Sequence, residues 1–326
     1  MSSRTLNWAA FPLGLALLGL GVIVGAGRLA RLNEPVLDFS AREQPVGVER
    51  DLPGATAPLR FAVATMVSAE ATFSTYARLV ERIGRDVGRG DVFILRPSYS
   101  DVRAELEQGS IDVAFVCTGT YVHTLAGGKV ELLVQPEFED GVDYRSLLIV
   151  SVRSGFEKLG DLRGAVVAFT DPESNTGYLV PTANLLALGH DPRTFFGKIV
   201  FTGSHDRSIL AVALGVVDGA AVDSLVWFSK KREDPSLAAE IKVIWKSEPY
   251  GPPPILVPAG LEEGLVQALR QAFLNLDGDE KGRAILSSIG IKRFVPLRRE
   301  DYQSVIELYR FVQAERGGAW EHLDGP

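Results

Sequence analysis

Cysteine is nearly absent from this chain, since Cys117 is the only one among its 326 residues. No disulfide can form within the chain, so the fold does not depend on oxidative cross-links. Positive charge is also in deficit, because Asp and Glu outnumber Lys and Arg by 41 to 34 and the formal net charge is −7. A surface that binds nucleic acid needs clustered positive charge, so the composition argues against a nucleic-acid partner.

Sequence motifs of catalysis are missing as well. The chain has no Gly-x-Ser-x-Gly motif, no phosphate-binding Walker loop and no zinc-binding motif. Cys117 with His123 or His205 could be a nucleophile and its base, but no clear third group would orient such a pair. We therefore predict no enzymatic activity, no cofactor and no metal, with a cysteine-dependent periplasmic enzyme as a remote alternative.

Charge is absent from residues 5–27, which are rich in Leu, Ala, Gly and Val. A run of this length can cross a bilayer, so residues 1–31 are predicted to be an uncleaved membrane anchor or a cleaved signal segment. No cysteine follows for lipid attachment. Either alternative places the remainder outside the cytoplasm. Residues 32–58, with mixed charges and little apolar periodicity, are predicted to be a spacer.

From residue 59 onward, short apolar segments alternate with segments whose apolar residues recur at helical spacing. This alternation is typical of the α/β class, in which crossover helices join parallel strands. Residues 148–247 are predicted to form a lobe inserted between the two parts of an outer lobe, 59–147 and 248–326. Two chain crossings between the lobes would make a hinge and a cleft.

The turn after the predicted buried strand 165–169 is the most informative segment. Ser174, Asn175 and Thr176 stand between that strand and a helix-like stretch that follows Pro181. The first N–H groups of a helix have no partner within it, and hydroxyl and amide side chains add further donors. We predict that this turn binds an anion. The alternative is that Ser174 or Thr176 only caps the helix.

Two further candidates follow predicted strands at the sheet edge where α/β proteins bind their ligands. His205 follows strand 199–201 and opens a helix. It is predicted to donate to an oxyanion, and its charge would vary with pH; the alternative is a helix cap shared with Ser204 or Asp206. Cys117 follows strand 111–116 and is predicted to line the pocket, although a free cysteine is often simply buried.

Several motifs in order resemble those of one known family. They are residues 59–63, 68–73, Tyr99, 112–122, 171–181, 203–206 and 217–224. Together they resemble the periplasmic phosphate, phosphite and phosphonate solute-binding proteins of ABC transporters, over residues 59–312. This resemblance implies a two-lobed type II periplasmic-binding-protein fold that closes on a small oxyanion.

The resemblance also implies roles for particular residues. The family turn that holds the anion oxygens corresponds to Ser174, Asn175 and Thr176. Relatives often have hydroxyl side chains at all three positions. Asn175 departs from this pattern, but its amide can still donate a hydrogen bond. Tyr121 is similar to a family tyrosine that contacts the ligand, and Phe73 to an aromatic residue that closes the cleft; both would also suit packing. Asp223 matches a carboxylate that holds an amino group, and it favours a ligand that carries O–H or N–H.

We predict from these features a solute-binding protein that captures phosphate, phosphite or a phosphonate by cleft closure and delivers it to an ABC permease. The alternative is a sensor component for arsenite or another oxyanion that acts on a membrane histidine kinase. Some arsenite-sensing relatives carry a cysteine in a segment comparable to that of Cys117, and a thiolate is a better ligand for arsenic than for phosphate.

Overall fold

The computed structural model describes residues 46–50, 57–64, 66–67, 69–125, 127–139 and 143–316. The predicted anchor or signal, residues 1–31, lies outside the described residues. Within the part of the chain that is described, no helix is both long and apolar enough to cross a membrane.

Two β-sheets organise the described residues. The first sheet contains β1 Val46–Arg50, β2 Leu59–Ala64, β3 Asp91–Arg96, β4 Val113–Phe115, β5 Val130–Phe138, β11 Ile255–Pro258 and β12 Ile291–Val295, in the order β1-β3-β2-β4-β11-β5-β12. The second sheet contains β6 Ser146–Ser151, β7 Val166–Phe169, β8 Lys198–Phe201, β9 Gly219–Asp223 and β10 Ile241–Lys246, in the order β10-β6-β9-β7-β8.

The helices connect and cover these sheets. They are α1 Ala69–Val87, α2 Tyr99–Glu107, α3 Thr118–Thr124, α4 Val180–Ala187, α5 Pro192–Phe195, α6 His205–Ala213, α7 Ser224–Glu233, α8 Pro235–Ala239, α9 Glu263–Leu274, α10 Glu280–Ser288 and α11 Gln303–Glu315. Three 3₁₀ turns, Leu159–Leu162, Leu276–Gly278 and Arg299–Tyr302, complete the connections. We name the first sheet with its helices the outer lobe, and the second sheet with its helices the inserted lobe.

Both sheets are mixed, which corrects the expectation of parallel strands throughout. In the outer lobe β2 pairs in parallel with β3 and β4, whereas β1, β11, β5 and β12 pair antiparallel with their neighbours. In the inserted lobe β7 is parallel to β8 and β9, but β6 and β10 are antiparallel. The parallel pairs are those joined by crossover helices, and the antiparallel pairs arise where the chain enters, leaves or crosses between lobes.

Strand β1 lies inside the segment that was predicted to be a spacer, residues 32–58. It pairs antiparallel with β3, from Val46 opposite Leu95 to Arg50 opposite Asp91. The strand is short and occupies the edge of the sheet. Only two valines alternate with other residues in it, which is too weak a period-two pattern to stand out in the sequence.

The outer sheet is buried on both faces. Successive residues of β2 enter different cores, because Phe61 and Val63 pack with helices α1 and α9 while Ala62 and Ala64 pack on the other face with α2 and α11. A strand buried on both faces reads as a continuous apolar run, which is why β2 was predictable. The second core also includes Leu179 of the inserted lobe.

The two chain crossings between the lobes lie side by side. Ser247 N–H donates to Ser146 O at 3.0 Å, and Ser146 N–H donates to the hydroxyl of Ser247 at 3.0 Å. Nearby, Tyr250 N–H donates to Tyr144 O at 2.9 Å. These bonds join the crossings into one ribbon, which is the hinge between the lobes.

Candidate functional site

The ends of three strands meet where the lobes face each other. Cys117 follows β4 of the outer lobe, residues 171–176 follow β7 of the inserted lobe, and Asp223 is the last residue of β9. All of these residues except Pro172, which is half-buried, are buried. The carboxyl ends of parallel strands form the usual ligand site of an open α/β sheet, so this junction is the candidate site.

The lobes are in direct contact at this junction. Asn175 N–H donates to the sulfur of Cys117 at 3.2 Å, Tyr99 N–H donates to Asp171 Oδ2 at 3.3 Å, and His205 N–H donates to Met66 O at 2.9 Å. Gly119 makes the approach possible, because a Cβ there would lie 2.6 Å from Asn175 N. The two lobes are therefore joined by hydrogen bonds at this junction.

The turn after β7 combines a helix cap with a short π-helical turn. Ser174 Oγ accepts a hydrogen bond from Gly177 N–H at 3.0 Å, so Ser174 is the N-cap of the π-helical turn Asn175–Leu179. This turn leads directly into α4. Ser174 thus performs the capping role that was the alternative in the sequence, and its hydroxyl hydrogen is still able to donate.

Three polar side-chain groups at the junction are fully buried and have no hydrogen-bond partner among the described residues. They are the hydroxyl of Tyr99, the amide of Asn175 and the Nε2 atom of His205. The hydroxyl of Thr176 is also buried, beside the hydroxyl of Tyr144. An unpaired buried polar group costs about 1–3 kcal/mol, so we take this cluster as the candidate site for a ligand that would supply the missing partners.

His205 is a neutral donor in this site. Its Nδ1 atom accepts a hydrogen bond from Asp223 N–H at 3.1 Å and lies 3.0 Å from the hydroxyl of Thr170. Burial lowers the pKa of His205 to about 3, against the opposing effect of Asp206, so the ring is uncharged at neutral pH. With Nδ1 acting as an acceptor, the ring hydrogen must be on Nε2, the unpaired atom.

Asp223 is a carboxyl group with an unusual proton affinity. Burial raises its pKa to about 7, although the N–H groups of Leu225 and Val226 stabilise the charged form. Its Oδ1 atom accepts from Leu225 N–H at 2.6 Å and caps α7. Its charge contributes to the raised pKa of Tyr76, which burial chiefly brings to about 12. Asp223 is therefore close to half-protonated at neutral pH.

The sulfur of Cys117 is part of the site but is not an activated nucleophile. Burial raises its pKa, while hydrogen bonds from Tyr144 and from the N–H groups of Asn175 and Gly119 act in the opposite direction. The sulfur lies 3.3 Å from Tyr144 Oη. His205 is held by Asp223 and Thr170 instead, and the ring of His123 packs edge-on against Tyr309 at 4.8 Å. Cys117 is thus a protonated thiol beside a tyrosine.

Two predicted site residues are not brought to the junction. The ring of Tyr121 packs edge-to-face against Tyr302 at 5.3 Å in the second core, and its hydroxyl lies near Arg299. The ring of Phe73 stacks on Phe93 at 5.5 Å against the first core. Both side chains take the packing role that was the alternative for each.

The predicted site residues did not include three tyrosines and a carboxyl group that the fold adds to the junction. They are Tyr76, Tyr99, Tyr144 and Asp171. Tyr99 was detectable, because it follows the apolar segment 92–95, and ligands bind beyond the carboxyl ends of such strands. Tyr144 gives no such signal, because it precedes β6 and reaches the site only through the geometry of the hinge.

These features define the protein as a periplasmic binding protein by fold. A binding-protein component of an ABC phosphonate transporter from Pseudomonas aeruginosa superposes with a TM-score of 0.75 at 21% identity, over 82% of this chain and 90% of that one. PhnD1 from Prochlorococcus marinus, in complex with methylphosphonate, gives a TM-score of 0.71 at 18% identity, over 80% and 98% of the two chains. The predicted two-lobed fold is confirmed.

The chain belongs to the family of periplasmic substrate-binding proteins of phosphonate ABC transporters, whose sequence profile matches residues 61–302. A probable ABC transporter phosphite-binding protein of Prochlorococcus marinus is 29% identical over 49% of this chain and 55% of its own length. The phosphonates-binding periplasmic protein of Escherichia coli is 27% identical over 60% and 59%, respectively. The matches thus span little more than half the length of these curated relatives. The family resemblance seen in the sequence is confirmed.

Proposed function

We propose that this protein captures a small oxyanion, namely phosphate, phosphite or a phosphonate, between its two lobes and delivers it to an ABC permease. The observation that carries this proposal is the cluster of buried, unpartnered donors formed by Tyr99, Asn175 and His205. Relatives named as phosphite-binding, phosphonate-binding and phosphate-import proteins support this ligand class. In this proposal the protein is a transport component and not an enzyme.

Neutral donors suit an oxyanion that retains a proton. The amide of Asn175 and Nε2–H of His205 can donate to anion oxygens, and a hydrogen bond to a charged group contributes about 1.5–3 kcal/mol. Asp223, with its pKa raised to about 7, can accept a hydrogen from the ligand when ionised or donate one when protonated. Ser174 and Thr176 would complete the turn that holds the anion.

Binding and closure would be coupled through the hinge. The moving units in this proposal are residues 148–247 and the outer lobe, 59–147 with 248–326. A ligand that contacts donors from both lobes binds the closed form better than the open form, and it therefore shifts the population toward closure. The permease would recognise the closed form on the periplasmic side of the inner membrane, where residues 1–31 would tether the protein or direct its export.

The arsenite-sensor hypothesis gains no support from the environment of Cys117. Soft metal and metalloid ligands bind to thiolate, and burial keeps this sulfur protonated. Its neighbour Tyr144 is an oxygen donor and not a second soft ligand.

Calorimetry and thermal shift with phosphate, phosphite, methylphosphonate and arsenite test the proposal. We expect at least one phosphorus oxyanion to raise Tm, because a ligand that binds only the folded state stabilises it. Asn175→Leu should lower the affinity for that ligand about 10- to 100-fold, since it removes a hydrogen bond to a charged group. Without ligand the variant should be at least as stable as the wild type, because the substitution removes an unpaired buried amide.

Tyr121→Phe is the matched control, because Tyr121 lies in a packed core and should leave the affinity unchanged. The proposal fails if none of the phosphorus oxyanions binds, or if Asn175→Leu binds them as tightly as the wild type does. Stabilisation by arsenite alone would favour the sensor hypothesis instead.

A further inference from the structure

A cavity of about 640 Å³ lies between the lobes beside the polar cluster. Asp223 belongs to both, because it lines the cavity and its backbone N–H holds His205. From the outer lobe, the first turns of α1 contribute Thr72, Thr75 and Tyr76 to the wall. From the inserted lobe, α7 contributes Leu225, Val226 and Phe228 to the opposite wall. Asp223 therefore joins the wall of the cavity to the polar cluster, whose donors Tyr99, Asn175 and His205 do not themselves line the cavity.

The volume of the cavity exceeds what a bare oxyanion needs. Phosphate and phosphite have five heavy atoms or fewer, whereas protein pockets of about 300–1,000 Å³ hold ligands of drug-like size. The cavity of this protein falls in the middle of that range. A ligand with only an anionic head would leave most of this space to solvent.

The wall of the cavity is mainly apolar. Its apolar part includes Val67, Phe115, Val226, Pro254 and Phe294. Such a surface offers few hydrogen bonds to water, so an apolar substituent that displaces the water gains free energy for every methylene it buries.

Charged side chains form another part of the wall. Lys230, Lys231, Arg232 and Glu233, at the end of α7, also line the cavity. Three of these residues are exposed and Lys230 is half-buried, so this part of the wall meets solvent. A substituent that extends from Asp223 along the apolar wall would therefore end at a polar opening.

We propose that the preferred ligand is an organophosphonate with an extended, largely apolar substituent on phosphorus. The oxyanion head occupies the polar cluster and the substituent lies along the apolar wall of the cavity. This inference rests on the proposed function of the polar cluster, and it adds the part of the ligand that distinguishes one phosphonate from another.

The test is an affinity series for the full chain with methyl-, butyl- and hexylphosphonate. We expect affinity to rise by up to about fourfold for each added methylene, which is the increment that corresponds to burial of one CH₂ group. Thr75→Trp places a large ring in the cavity from a half-buried position on α1. It should weaken hexylphosphonate at least about tenfold and change methylphosphonate less than about twofold, since only the longer substituent reaches this space.

Ser74→Trp is the matched control, because Ser74 is its exposed neighbour on the same helix and does not line the cavity. Hexylphosphonate that binds no tighter than methylphosphonate to the wild type would overturn the inference, and so would equal losses for both ligands in Thr75→Trp. In either case binding of methylphosphonate would still uphold the proposed function. If phosphate or phosphite binds and no phosphonate does, this inference fails and the proposed function stands. If none of these phosphorus oxyanions binds, both fail. The wild-type series decides the question even if the tryptophan variant does not fold.

Discussion

Burial sets the charge of each titratable residue at the junction between the lobes. Desolvation disfavours the charged form, so it lowers the pKa of His205 to about 3 and raises the pKa of Asp223 to about 7. The histidine is therefore a neutral donor over the physiological range. Asp223 changes from neutral to negative within that range, and so does Asp171, whose pKa burial also raises to about 7. We expect both carboxyl groups to make binding depend on pH.

The pH dependence of anion binding has a definite sign. Below pH 7 Asp223 is mostly protonated and can donate to an anion, whereas above pH 7 it is negative and repels one. Asp223→Asn keeps an oxygen that can accept from Leu225 N–H and removes this titration. We expect the ratio of wild-type to variant affinity for methylphosphonate to fall about tenfold between about pH 6 and about pH 8, as the protonated fraction falls.

Calorimetry of both proteins at several pH values measures this ratio, in which the ionisation of the ligand itself cancels. A ratio that stays constant across the range would show that Asp223 does not titrate beside the ligand. The helix α7 should remain formed in the variant, because asparagine is also a good N-cap, and far-UV circular dichroism checks this.

At the scale of elements, helix α3 and the turn after β7 approach each other more closely than side chains would allow. Gly119, in the first turn of α3, leaves room for Asn175 N and the carbonyl group of Glu173. Gly119→Ala would put a methyl group into this contact. Because each lobe has its own packed core, the clash should open the lobes and leave each of them folded.

We expect Gly119→Ala to lower ligand affinity at least about tenfold with a normal circular dichroism spectrum, since the closed form is the one it obstructs. Gly155→Ala is the control, because a Cβ at Gly155 meets no atom within 4 Å. Calorimetry on both variants measures their ligand affinities, and it shows whether the loss is specific to Gly119. Unchanged affinity in Gly119→Ala would mean that this contact is not needed for binding.

The long elements were predictable because each has a local pattern. Apolar residues recur at helical spacing in residues 73–87, which is the pattern of a helix, and the structure has α1 at Ala69–Val87. Strands β5 and β12 were not recognised, since their residues mix charged and apolar types and they owe their pairing to partners far along the chain. The same limit applies to the site. Asn175 is recognisable from its turn, but Tyr144 becomes a site residue only after the hinge has folded.

One ion pair joins the two lobes and bears on how readily the molecule opens. Arg103 Nη2 on α2 lies 2.9 Å from Glu173 Oε1 of the inserted lobe, and the side chain of Glu173 is 1% exposed. A buried carboxylate that loses its partner is strongly unfavourable, by about 3–5 kcal/mol. Opening the lobes would return Glu173 to water, so loss of the arginine should be relieved by opening.

We expect Arg103→Met to weaken ligand binding and to increase the radius of gyration in solution scattering, because it destabilises the closed form. The double variant Arg103→Met with Glu173→Gln should recover part of the affinity, since it removes the uncompensated charge. A radius of gyration and an affinity equal to those of the wild type in the single variant would contradict this account of the ion pair.

Helix α11 gives the two lobes a third link in addition to the crossings of the hinge. Val305 and Val312 of this helix share a core with Leu179 and Ala183 of the inserted lobe, and Arg316 donates to the hydroxyl of Tyr178 at 2.8 Å. The cavity wall lies against the other face of the outer sheet. Separating the lobes along α11 would expose to water the apolar side chains that they share there. Separating them on the cavity side would not expose that shared core. We therefore expect the cleft between the lobes to open only on the side away from α11. A solute would enter and leave the cleft past α7.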